Sequence, residues 1–162
     1  MFDWLRKPKD PSPKELGERA VASMAADLDA FMQARFNPVF NSMLDVLRGR
    51  LDEAIDVEGT DAPPLMRGQV EYEIFVENVD DVRARMLGEV QSAMGDWLKF
   101  AREADLTESL QAYLEHQVDT FLKNLKLAGL SLLSDYADRL KEADDNWRAQ
   151  NPSLALQFPP EA

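Results

Sequence analysis

From Pro13 onward, apolar residues return at three- and four-residue steps through Leu16, Ala20, Met24, Leu28, Phe31 and Met32, with Glu18, Arg19, Asp27 and Asp29 largely off that stripe. This is the period of a helix that buries one face. Ser12 is placed to cap its start, and Pro13 suits a first helical position, where an N–H has no partner in any case. Asn37-Pro38 predicts the end of this helix or a sharp bend, because a residue before proline is pushed away from helical geometry. A second stripe begins at once, through Phe40, Met43, Leu44, Leu47, Leu51, Ala54 and Ile55, and is predicted to stop near Val57 with Gly59 just beyond. Residues 58–64, EGTDAPP, form a loop by composition.

Leu65 to Asn78 carries two patterns at once. Val70, Tyr72, Ile74 and Val76 alternate with Glu71, Glu73 and Glu77, as a short half-buried strand at 69–77 would, and only Phe75 breaks the alternation. The one segment able to pair with such a strand is the tail Leu154, Leu156, Phe158. An isolated two-stranded ribbon is marginal, so the helical reading is favoured. From Val79 the spacing of Val82, Met86, Val90, Met94, Trp97, Leu98 and Ala101 is plainly helical, and without the strand one helix can run from about Pro64 to Glu103.

Asp105 and Glu108 are spaced as a capping box, so a further helix is predicted from near Leu106. Its stripe is long: Leu110, Tyr113, Leu114, Phe121, Leu125, Leu132, Tyr136, Leu140, Ala143 and Trp147. Gly129 either divides it or lets another element pack closely. Pro152 ends it, leaving the tail SLALQFPPEA, for whose Phe158 the preceding Trp147 offers a pocket. The expected fold is all-α: an antiparallel bundle of four to five helices over 13–150, with an extended arm at 1–12, a tail at 151–162, and short connections at 37–38 and 103–105. A C-terminal helix continuous past Gly129 is expected to protrude and to expose Leu132, Tyr136, Leu140 and Trp147, which predicts a homodimer.

Composition narrows the functions open to such a fold. At 162 residues and 45% hydrophobic the chain can bury one sizeable core. Thirty acidic residues against 18 basic ones give a net charge of −12, which repels phosphate backbones, so no nucleic-acid partner is expected. The absence of cysteine removes disulfides, thiolate nucleophiles and Fe–S clusters. Residues 1–30 lack a basic region followed by an unbroken apolar stretch, and a cytoplasmic location is expected.

Candidate chemistry is sparse. His116 is the only histidine, and it follows Tyr113 at the spacing where a di-iron helix would need glutamate. It reads as a solvated or flanking residue. Glu15/Glu18 and Glu53/Asp56 are acidic pairs at i,i+3, the arrangement with which all-α nucleotide pyrophosphohydrolases hold Mg²⁺. Seven such pairs occur, against roughly five to six expected by chance from this composition. No Gly-rich phosphate loop is present. The methionines Met24, Met32, Met43, Met86 and Met94 read as core, although such an interior adapts readily to a bound apolar molecule.

The first residues stand apart. Phe2, Trp4 and Leu5 precede any helix, are tethered by Pro8, Pro11 and Pro13, and are followed by Arg6 and Lys7. They are expected to dock on a protein partner with Trp4 as anchor, to touch a membrane surface weakly, or to fold back over the chain's own helices. The sequence is therefore read as a non-enzymatic interaction or adaptor protein without a cofactor. A Mg²⁺-dependent nucleotide pyrophosphohydrolase using Glu15, Glu18, Glu53 and Asp56 is the enzymatic alternative, and a carrier of an apolar ligand is a further one.

Overall fold

The computed structural model describes residues 13–160, with side chains from residue 17 onward. The elements in chain order are α1 (Pro13–Ile55), α2 (Pro64–Asp81), α3 (Arg83–Ala93), α4 (Gly95–Glu103), α5 (Thr107–Gln150) and the single turn α6 (Pro152–Ala155). No strand occurs among the described residues. The stretch 69–77 lies within α2, and the alternation that suggested a strand has a helical explanation: Phe75 and Val79 point into the core while Ile74 and Val70 remain exposed.

α2, α3 and α4 form one nearly unbroken run. Val82 and Met94 mark the joints, yet helical hydrogen bonds cross both, from Met86 N–H to Val82 O at 3.0 Å and from Leu98 N–H to Met94 O at 2.9 Å. Three long rods result. α1 packs on α2, α3 and α5, and α5 packs on α2, α3 and α4. Pairings along their length fix the directions: Arg35 of α1 meets Glu89 of α3 and Asp27 meets Trp97 of α4, so these rods are antiparallel. Phe36 and Phe40 meet Phe121, and Asp52 meets Tyr136, so α1 and α5 are parallel. At 1.5 Å per residue, 43 and 44 helical residues give rods of about 65 Å each.

Two expectations fail here for physical reasons. α1 does not end at Asn37-Pro38, because Pro38 lies inside it. Ala34, whose carbonyl the missing N–H leaves free, is exposed along with Asn37 and Pro38, while Phe36 and Phe40 on the opposite side hold the helix against Phe121 at centroid separations of 5.9 and 5.5 Å. Nor does α5 protrude. It is continuous through Gly129, but α1 and the α2–α4 run are long enough to cover it, and Tyr136, Leu140 and Trp147 are buried while Leu132 is half-buried.

Gly129 does admit a close approach. A β-carbon there would fall 2.2 Å from Phe75 Cε1, and one at Gly68 would fall 2.8 Å from Leu140 Cδ1. These two glycines let α2 and α5 nest, with Phe75 laid into the notch at 129. The core continues through Leu28, Leu47, Leu51, Met86, Val90, Leu114, Val118 and Leu125.

One pole is sealed by polar groups that close helix ends. Arg67 of α2 donates from Nη1 to Asp56 O at 2.7 Å and from Nη2 to Glu53 O at 2.9 Å, covering the last carbonyls of α1. Asp144 of α5, 3% exposed, accepts from Leu65 N–H in the first turn of α2. Trp147 is fully buried, donates from Nε1 to Thr60 O at 3.0 Å, and packs edge-on to Phe158 at 6.2 Å, the pocket expected for the tail. Arg148 ties the same tail by donating to Phe158 O at 2.6 Å.

Candidate functional site

Among the described residues, the opposite pole is open. Three helical faces converge there with the same spacing: Gly17, Ala20, Val21 and Met24 from α1; Trp97, Phe100, Ala101 and Ala104 at α4; Leu106, Ser109, Leu110 and Tyr113 at α5. Each quartet is an i, i+3, i+4, i+7 stripe, the pattern that elsewhere in the chain makes core. Here small residues at Gly17, Ala20, Ala101 and Ala104 leave the space between the stripes unfilled, a hollow of about 470 Å³. Val21 is 63%, Phe100 51% and Leu106 52% exposed, which is unusual for side chains on converging apolar faces.

The walls are held firmly. Trp97 donates from Nε1 to Asp27 Oδ2 at 2.9 Å and stands edge-on to Phe100 at 6.2 Å. The connection between α4 and α5 is a Schellman closure: Asp105 adopts φ 58°, and Leu106 N–H reaches back to Ala101 O at 2.7 Å. That reversal presents Leu106 to the hollow. It also corrects the capping-box expectation, since Asp105 terminates α4 and no side chain caps the start of α5.

The charged residues form inter-rod clamps. Arg35 grips Glu89 with two bonds of 2.7 and 3.3 Å, Arg83 grips Asp119 with two of 2.6 and 3.1 Å, and Lys126 pairs with Asp80. The hydrogen bond from Arg35 holds the Glu89 carboxyl below its ordinary range, and that from Arg83 does the same for Asp119. Tyr136 donates to Asp52 Oδ1 at 2.6 Å, and burial followed by that bond raises its phenol above the ordinary value.

The sequence-derived candidates fare differently. Phe2, Trp4, Leu5, Arg6 and Lys7 lie outside the described residues, as does the Glu15 side chain. Glu18 and Glu53 are exposed on the same helix, α1, and 35 residues of helical rise separate them by about 52 Å. Glu53 pairs with Arg50 at 3.1 Å, and Asp56 Oδ1 accepts from Glu58 N–H. The two acidic pairs therefore do not converge on one ion. His116 is exposed, as expected. Among the described residues no group of three or more His, Asp and Glu side chains converges to hold a metal, and no helix is long and apolar enough to cross a membrane.

The hollow was missed in the sequence because Ala20, Met24, Trp97 and Leu110 read as ordinary core. The available signal was the coincidence of small residues in two facing quartets. The chain matches no protein-family model, no curated protein and no solved structure.

Proposed function

We propose that this chain is a non-enzymatic interaction protein, a bundle of three rods that receives an apolar segment of a protein partner at its open pole. The observation that carries this reading is the hollow itself, in which Val21, Phe100 and Leu106 face solvent between walls fixed by the Trp97–Asp27 bond. Exposed apolar surface of this kind marks contact sites. The aromatic arm with Phe2, Trp4, Leu5, Arg6 and Lys7, which precedes α1 in sequence, is a second contact segment in this reading. The clamps at Arg35–Glu89 and Arg83–Asp119 serve the frame rather than chemistry.

A carrier of a small apolar ligand is the second reading, favoured by a hollow whose volume falls within the range of ligand sites. The homodimer moves to a different surface: the furrow between α1 and α2, where Val46 and Ile74 are exposed beside Met43 and Val39. Selection of apolar peptides on the full chain, combined with native mass spectrometry, tests these readings. Binders lost on Phe100→Asp and kept on Val46→Asp are the expected result. A co-purified apolar molecule would favour the carrier, and absence of any binder sensitive to Phe100→Asp overturns the proposal.

A further inference from the structure

Resting on the homodimer reading of the α1–α2 furrow, we infer that what fills it is the same furrow of a second copy running antiparallel, with Val46 and Asn78 on the two-fold axis. The register of the two walls comes first. Arg35 meets Glu89 and Asp27 meets Trp97, which fixes how far each residue of α1 lies along the α2–α4 run. Val46 is eleven residues beyond Arg35 and Asn78 eleven before Glu89, so the two stand level across the furrow that both line. Val46 and Ile74 are exposed there, apolar side chains that the chain's own helices leave uncovered.

About that level the lining is self-complementary. On the α2–α3 wall Ile74 and Val82 stand four residues either side of Asn78, and Glu71 and Arg85 seven either side. A two-fold axis at Asn78 sets Ile74 against Val82 of the second copy, Glu71 against Arg85, and the reverse. It also brings the two Asn78 amides together, each able to donate to and accept from the other, a pairing that fixes register between helices. On the α1 wall Ser42 and Arg50 stand four residues either side of Val46, so the same axis brings Arg50 level with Ser42 of the second copy, one residue from the level of Asp81. All four charged residues lining the furrow, Arg50, Glu71, Asp81 and Arg85, thus meet the opposite sign. In a chain of net charge −12, this neutral lining lets two copies approach. Arg85 is also free for the role: Glu89 holds Arg35 at 2.7 and 3.3 Å and leaves Arg85 at 3.8 Å. A parallel copy would instead lay Arg85 over Val39, and a foreign segment would make no use of the symmetry.

Because the chain has no cysteine, engineered thiols report on this contact without background. Full-length Glu71→Cys and Arg85→Cys chains are mixed under oxidised glutathione, and Val39→Cys is mixed with Arg85→Cys in parallel. The expected result is an interchain disulfide for the 71–85 mixture only, because the antiparallel register sets positions 39 and 85 of the two copies about 21 Å apart along the rods. A 39–85 disulfide without a 71–85 one marks a parallel copy and overturns the inference while leaving the homodimer reading standing. Neither disulfide, with a monomer in native mass spectrometry, overturns both. Charge reversal gives a second measurement on unmodified thiol-free chains. Arg85→Glu is expected to weaken dimerisation about tenfold in sedimentation equilibrium with helix content unchanged by circular dichroism, and Glu71→Arg in the same chain is expected to restore it. A double reversal that dimerises no better than Arg85→Glu alone overturns the proposed register.

Discussion

Asp144 Oδ1 accepts the backbone N–H of Leu65 at 3.1 Å, across 79 positions of sequence. α2 begins after Pro63, which has no side chain able to cap it, so α5 supplies the missing acceptor. The other oxygen of the same carboxylate receives Arg148 Nε at 2.5 Å, and Arg148 in turn holds Phe158. One buried carboxylate thus joins a helix start, a helix end and the tail.

Asp144→Ala is expected to lower unfolding free energy by about 2 kcal/mol, combining a lost cap with an Arg148 left short of its partner. Denaturant unfolding of the two chains measures it. A change near zero would mean that water replaces the carboxylate without loss.

Gly129→Ala is expected to destabilise by about 1–3 kcal/mol despite a better helix former, because Phe75 must leave its notch and the gain in propensity is only about 1 kcal/mol. Phe75→Leu in the same background should recover part of the loss. Additive effects of the two substitutions in a double-mutant cycle would contradict the proposed packing.

Pro38→Ala is expected to stabilise by about 1–2 kcal/mol, since it restores a helical hydrogen bond at an exposed position and loses only the proline's restraint on the unfolded chain. Thermal unfolding decides the sign.

Tyr136 has a phenol raised by burial and by its bond to Asp52. A raised folded value stabilises below the unfolded value of about 10, and that contribution disappears as pH climbs through the folded one. The stability difference between the natural chain and Tyr136→Phe should therefore stay constant at neutral pH and shrink above about pH 10.

Glu89 and Asp119 work in the other direction. Their depressed values favour the fold above the ordinary carboxylate range, and the benefit goes as pH falls through the folded values. Both lie in exposed pairs, so Glu89→Gln should flatten the acid limb of the stability profile only slightly, and added salt should reduce the difference.

Much of the fold was legible in the residues. The stripes from Phe40 to Ile55 and from Val79 to Ala101, the loop at 58–64, the start near Leu106 and the stop at Pro152 follow from local periodicity and proline, and the pairing of Trp147 with Phe158 follows from their proximity in sequence. What escaped depended on distant neighbours. Pro38 is tolerated because Phe121 holds the helix on both sides of it, and Gly129 is a notch only because Phe75 arrives from another rod. Asp105 looked like a cap from its spacing to Glu108, yet its left-handed backbone ends the previous helix. The hollow was illegible for a related reason: a stripe that lines empty space reads the same as one that fills it.

The parallel course of α1 and α5 has a mechanical consequence. The chain enters the stack of rods at one pole, at Pro13, and leaves α5 at the other, at Gln150, about 75 Å away given the Phe36–Phe121 and Asp52–Tyr136 pairings. Tension between attachments at the two ends would not peel helices apart one turn at a time. It would shear whole interfaces, including the Phe75 notch and the Arg35 and Arg83 clamps, all at once. Objects fastened to the two ends would be held at a fixed spacing by a stiff strut rather than by a spring.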